Sequence, residues 1–119
     1  MTRDKGFHEY IMREVFLDVT GVTSRGMFGG WGIYKDGFFF ALIADGRLYF
    51  KVDDSNRSDF ERAGSEPFRY SSKDKKAVTM SYWELPAAVM EDRDELKVWM
   101  QKSVEASRHA RVTKRAKTR

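Results

Sequence analysis

Two histidines, His8 and His109, stand near opposite ends of the 119-residue chain, and cysteine is absent. Thiol nucleophiles, disulfides and cysteine-based zinc sites are therefore excluded. No His-x-x-Glu-His type of spacing occurs, and His8 reads as a solvated side chain on a polar helix face. Serine catalysis would have to recruit one of these histidines, with no Gly-x-Ser-x-Gly turn to present a nucleophile. Carboxylates acting alone need a pair in a cleft. Asp53-Asp54 and the group Glu91, Asp92, Asp94 and Glu95 fit turn and helix-start acids instead, placed where the helix dipole favours them. Gly29-Gly30-Trp31-Gly32 fails as a dinucleotide fingerprint, because a motif starting at Gly30 needs glycine where Lys35 stands. No Gly-Lys-Ser/Thr follows, and these glycines lead into a strand, so they read as a bulge or bend. Asn56-Arg57-Ser58 has the form of a glycosylation sequon, without consequence unless the chain is secreted. The expectation is a protein with no catalytic residue, cofactor or metal.

The elements that position the remaining residues are readable from period and punctuation. Phe7, Tyr10, Ile11 and Val15 recur at three- and four-residue spacing and predict a helix over Lys5 to Val19, stopped by Gly21. A first strand follows over Thr23 to Phe28. Asp36-Gly37 separates Trp31–Lys35 from Phe38–Ala44, and Asp45-Gly46 separates that run from Arg47–Val52. Asp-Gly between apolar runs marks a hairpin, since a type I′ turn needs positive φ at both central positions. Ser55 is placed to cap a short helix over Asn56 to Ala63, with Gly64 as its stop. Pro67 to Tyr70 is extended, Ser71–Lys76 is a charged turn, and Ala77 to Leu85 is a strand closed by Pro86. Asp92 and Glu95 have capping-box spacing and open a long last helix. The fold class is α+β: two layers, an antiparallel sheet with helices, in the order helix, strands, helix, two strands, helix.

Two-residue loops fix a register in which Lys35 opposes Phe38, Ile33 opposes Phe40, Ala44 opposes Arg47 and Leu42 opposes Tyr49. One face then carries Tyr34, Phe39, Ala41, Ile43, Leu48, Phe50 and Val52, without a charge, and is the expected core. The other carries Trp31, Ile33, Phe38, Phe40, Leu42 and Tyr49, edged by Lys35, Arg47 and Lys51. Few helices are available to cover both, so part of this second face is expected at the surface, where a contiguous apolar patch marks an interface. Trp31, Phe40, Arg47, Tyr49 and Lys51 form the candidate partner surface. A homodimer seam, a docking surface for another protein and a stacking platform for single-stranded nucleic acid compete for it. So does plain burial under the first or last helix.

Charge is uneven. Arg108, Arg111, Lys114, Arg115, Lys117 and Arg119 are six cations in a stretch with no acid, and they account for the formal net charge of +4. Without them, 16 basic residues face 18 acidic ones, a net of −2. A basic end can hold phosphates of nucleic acid, or simply solubilise a terminus. The expected organisation is a domain over 1–110 and a basic tail over 111–119. With 41% hydrophobic and 14% aromatic residues there is ample material for one core. The longest apolar run, Phe38 to Ala44, is far short of a membrane helix, and no signal or transit pattern opens the sequence, so the cytoplasm is the expected location.

Thr23-Ser24-Arg25-Gly26-Met27-Phe28-Gly29-Gly30-Trp31-Gly32-Ile33-Tyr34 and Met80-Ser81-Tyr82-Trp83-Glu84-Leu85-Pro86 together resemble the motifs of the TfoX N-terminal domain family, TfoX/Sxy. The resemblance runs from about Phe7 to Ala106 and rests on Arg25, Met27, Phe28, Gly29, Gly30, Gly32, Tyr82, Trp83 and Pro86. It implies a two-layer α+β fold similar to type III secretion chaperones. It also implies a role like that of transcriptional coactivators of competence genes, which work with the cyclic-AMP receptor protein. Longer members carry a second, helical C-terminal domain, where this sequence has its basic segment. No catalytic residue comes with the resemblance. The combined expectation is a non-enzymatic regulatory domain that contacts a protein, such as a transcription factor or the transcription machinery. A nucleic-acid accessory role for the tail is the alternative.

Overall fold

The computed structural model describes residues 5–27, 29–72 and 75–117, with side chains over 5–27, 29–69 and 81–110. Helix α1 (Lys5–Tyr10) winds on into a π-helical turn over Ile11–Val15, closed by the Phe16 amide donating to the Ile11 carbonyl at 3.0 Å. The wider winding swings Phe16 onto the buried face of Ile11 and Val15, which a regular 3.6-residue period does not do. Six strands follow: β1 (Val22–Met27), β2 (Gly30–Lys35), β3 (Phe38–Ala44), β4 (Arg47–Lys51), β5 (Pro67–Ser72) and β6 (Lys75–Glu84). Helix α2 (Arg57–Arg62) lies between β4 and β5, and α3 (Ala87–Met90) and α4 (Arg93–Lys117) end the described chain. The α+β class and the element order are as the sequence implies.

The strands form one antiparallel sheet, ordered β1-β2-β3-β4-β6-β5, with β1 and β5 at its edges. Both Asp-Gly turns take the conformation their residues select, with φ of 50° and 87° at Asp36 and Gly37 and 53° and 72° at Asp45 and Gly46. Met27 also pairs with Gly30, and Gly29 before it has φ 76°. Met27 and Gly30 thus continue a hairpin where the sequence shows only an interruption. Strands β5 and β6 also reach further toward each other than predicted, Ser72 pairing with Lys75.

The register agrees with expectation at Lys35–Phe38, Ala44–Arg47 and Leu42–Tyr49, and differs at one point. Ile33 pairs with Ala41, not Phe40, because the ladder shifts between Tyr34 and Ile33. An extra residue in β3 breaks the alternation, so that Phe40 and Ala41 both turn inward. Seven consecutive apolar residues leave the pleat no polar position to turn outward, and the shift buries one more large ring. As a result Trp31 and Ile33 face the core, and Tyr34 and Phe39 face away from it.

Every helix contributes to the core on that inner face. Ile11, Val15 and Phe16, Phe60 of α2, Val89 of α3, and Leu96, Met100 and Val104 of α4 pack with Phe40, Ile43, Leu48 and Phe50. A Schellman cap ends α2: the Gly64 amide donates to Glu61 and the Ser65 amide to Phe60, with Gly64 at φ 76°. Its N-terminal cap residue is Asn56, one place after the expected Ser55. Asn56, 1% exposed, donates from Nδ2 to the Lys51 carbonyl at 3.0 Å and accepts the Asp53 amide at 2.8 Å. Ser103 of α4, fully buried, donates to the same Lys51 carbonyl at 2.9 Å. Helix α4 starts as predicted at Asp92, whose carboxylate accepts the amides of Asp94 and Glu95. Glu95 does not reach back, however; it accepts the Trp99 indole N–H at 3.1 Å.

Candidate docking face

Side chains on the outer face follow from pairing, since partners across a ladder share a face. Arg25 and Met27 on β1 stand with Gly32 and Gly30 on β2, then with Tyr34, Phe39 and Leu42. Arg47, Tyr49 and Lys51 on β4 stand with Glu84 and Tyr82 on β6. Among the described residues, the ring contacts on this face are with other sheet residues, so it is an aromatic surface without a helix over it.

A file of three rings crosses it. The Arg25 guanidinium lies 5.7 Å from the Tyr34 ring centroid, Tyr34 stacks on Phe39 at 5.2 Å and 27°, and Phe39 meets Tyr82 at 5.2 Å and 35°. The Lys51 ammonium closes the file 5.2 Å from the Tyr82 centroid and donates to Ser81 Oγ at 2.6 Å. Tyr82, 6% exposed, forms the floor, with its hydroxyl donating to the Phe39 carbonyl beside the bulge. Burial raises its phenol far above the usual range, with Tyr34 adding to the effect. Burial likewise lowers the Lys51 pKa, against the pull of Asp53. Beyond the file, Tyr49 meets Phe68 edge-on at 5.0 Å, and Arg47 pairs with Glu84 at 3.1 Å. Burial, followed by the nearby Glu84 carboxylate, raises the Tyr49 phenol. A cleft of about 400 Å³, lined in part by Arg47, Ser65, Glu84 and Pro86, borders this end.

The glycines shape the file from beneath. A Cβ on Gly32 would lie 2.6 Å from Met27 Cε and 3.0 Å from Phe39 Cε1, so its absence lets Met27 lie across β2 against Phe39. A Cβ on Gly30 would fall 1.9 Å from the Ile43 carbonyl oxygen.

The residues predicted for the partner surface divide. Arg47, Tyr49 and Lys51 share the open face, whereas Trp31 and Phe40 belong to the core. Trp31 stacks under His8 at 4.2 Å, and His8 bonds Ser24 Oγ at 2.9 Å, so His8 is an interface residue of α1 and not a free polar one. Phe40, fully buried, packs edge-on against Phe16 and Phe50. The alternation broken at Phe40 is the reason for both corrections. Among the motif residues, Arg25, Met27, Gly32 and Tyr82 build the open face. Trp83 packs inward on Phe60, Pro86 caps α3, and Phe28 lies outside the described residues. Arg108 covers the Phe38 ring at 5.5 Å, and the backbone of Arg111, Lys114, Arg115 and Lys117 continues α4. Their side chains, and Arg119, lie outside the described residues. Sequence reasoning missed Tyr34 and Phe39, which it assigned to the core. The signal was the run Phe38-Phe39-Phe40, three rings where a strict alternation buries only some.

The model of the TfoX N-terminal domain matches residues 14–107, which take in all six strands and the whole ring file. The chain belongs to the TfoX N-terminal domain family. It is similar to the DNA transformation protein TfoX1 of Aliivibrio fischeri (strain ATCC 700601 / ES114), at 32% identity over 95 residues. The aligned part is 80% of this chain and 45% of that relative, so this TfoX-type chain spans under half of the longer protein. Among the described residues, no helix is long and apolar enough to cross a membrane.

Proposed function

We propose that this TfoX-type domain is a regulatory module of DNA transformation that acts through protein contact, with no reaction of its own. It docks a transcription factor or part of the transcription machinery on the open sheet face around Arg47, Tyr49 and Lys51. The observation that carries this reading is the aromatic face, with Tyr34, Phe39, Tyr49 and Phe68 half-buried and, among the described residues, in ring contact with other sheet residues and with no helix ring. The relative's name supplies the process.

Deletion of the gene, followed by complementation, tests it. DNA-uptake transcripts and transformation frequency fall on deletion and return with the wild-type gene. Complementation fails with Arg47→Ala/Tyr49→Ala/Lys51→Ala, provided the variant keeps its circular dichroism and melting temperature. Full complementation by that variant overturns the role of the face. Failure of a chain truncated after Ala110, with the face variant still active, assigns the function to the basic end of α4 instead.

A further inference from the structure

The ring file narrows the chemistry of what this face accepts, taking the docking role proposed above as its basis. In a stacking platform for bases, ring faces are open to the solvent. Here they are used within the file. Tyr34 stacks on Phe39 with Arg25 over its ring, and Phe39 meets Tyr82 at a tilt with Lys51 over the Tyr82 ring. A ligand therefore meets ring edges, which carry the positive end of the aromatic quadrupole. The charges agree in sign. Arg47 is neutralised by Glu84, but among the described residues neither Arg25 nor Lys51 has a carboxylate within ion-pair distance. Lys51 is half-buried, with burial lowering its pKa and the nearby Asp53 opposing.

Spacing sets the rest. Arg25 on β1 and Lys51 on β4 are three strand intervals apart. Arg25 lies in the row of Tyr49, two residues short of Lys51, so roughly 14 Å across the strands at ~4.8 Å per interval combines with about 7 Å along them to give roughly 16 Å, the length of about five residues of extended chain. Positions one, three and five of such a chain point the same way. We propose that the segment docking here is an extended stretch of a partner protein with the pattern acid-x-apolar-x-acid, its carboxylates on Arg25 and Lys51 and its apolar side chain on the edges of Tyr34 and Phe39.

The test uses the full chain and short fluorescein-labelled peptides containing Glu-Thr-Leu-Thr-Glu, Gln-Thr-Leu-Thr-Gln or Lys-Thr-Leu-Thr-Lys, with labelled oligothymidine as a fourth probe. Anisotropy gives affinity, and amide shifts in a nitrogen-15 spectrum give the site. The glutamate peptide binds about tenfold tighter than the glutamine peptide at low salt, the worth of two partly exposed ion pairs. Its advantage shrinks at high salt. Shifts centre on Arg25, Tyr34, Phe39, Lys51 and Tyr82. Arg25→Glu/Lys51→Glu reverses the preference toward the lysine peptide, and the milder Arg25→Gln/Lys51→Gln abolishes it should the reversal variant not fold. Equal binding of the glutamate and glutamine peptides at this face overturns the acidic pattern and leaves the docking role standing. Preference for oligothymidine at these residues overturns it in favour of nucleic acid. Binding of no probe also overturns it, and the docking role is then decided by the complementation result alone.

Discussion

Truncating two adjacent rings of β3 distinguishes the shifted ladder from a regular one. Phe40 is fully buried between Phe16 and Phe50, and Phe39 is half-buried on the open face between Tyr34 and Tyr82. Phe40→Ala removes a whole ring from the core and leaves a cavity, a loss of about 3–5 kcal/mol. Phe39→Ala leaves its site open to water and loses about 1–2 kcal/mol, mostly ring contacts. With unfolding entropy near 2.1 cal/mol/K per residue over 119 residues, one degree corresponds to about 0.25 kcal/mol. Phe40→Ala therefore lowers the melting temperature by about 12–20 °C and Phe39→Ala by about 4–8 °C. Urea titration followed by circular dichroism gives the free energies, and the slopes should match the wild type. A regular two-residue register turns Phe39 inward and Phe40 outward, and so demands the opposite order. Equal losses, or a greater loss at Phe39, would refute the shift.

Two further outcomes follow from the same geometry. Gly32→Ala pushes on Met27 and Phe39 and loses about 1–2 kcal/mol in urea titration; adding Met27→Ala opens the space, so the double variant loses less than the sum of the two singles. Equal and additive losses would mean that Met27 does not fill the gap over Gly32. Burial lowers the His8 pKa, with Glu9 opposing, so the folded state favours the neutral ring stacked on Trp31. The unfolded chain then binds the proton more readily, and this contribution is complete above pH 6.5 and lost as pH falls through the folded value. The melting-temperature gap between wild type and His8→Gln should narrow between pH 7.5 and pH 5; a constant gap contradicts the assignment.

Much of the architecture is readable because local chemistry decides it. The two Asp-Gly pairs, Gly64 after α2 and Asp92 before α4 each impose a backbone geometry that little else in the fold can override. The face of a strand is a different kind of quantity. It depends on counting residues from a turn, and a single extra residue inverts everything beyond it. The run from Phe38 to Ala44 is apolar at every position, so alternation within it carries no information about which ring is buried. The strand face shared by Arg47, Tyr49 and Lys51 is legible because polar and apolar residues alternate in β4. Trp31 and Phe40 were misplaced, because the extra residue in β3 lies between them and the strand β4 whose alternation sets the faces. The π-helical turn was hidden for a similar reason: Phe16 breaks the helical period and joins the core only when the turn widens.

The carbonyl of Lys51 is held by two hydrogen bonds, from Asn56 and from Ser103. It ties the last residue of β4 to the start of α2 and the middle of α4 before any ligand arrives. A docking lysine on a loose loop would lose backbone freedom on binding, a loss that subtracts from affinity. At Lys51 that freedom has already been given up in folding, so only the outer methylenes and the ammonium remain to be ordered. The helix layer on the opposite face thereby lowers the entropy that Lys51 would lose in the docking proposed above.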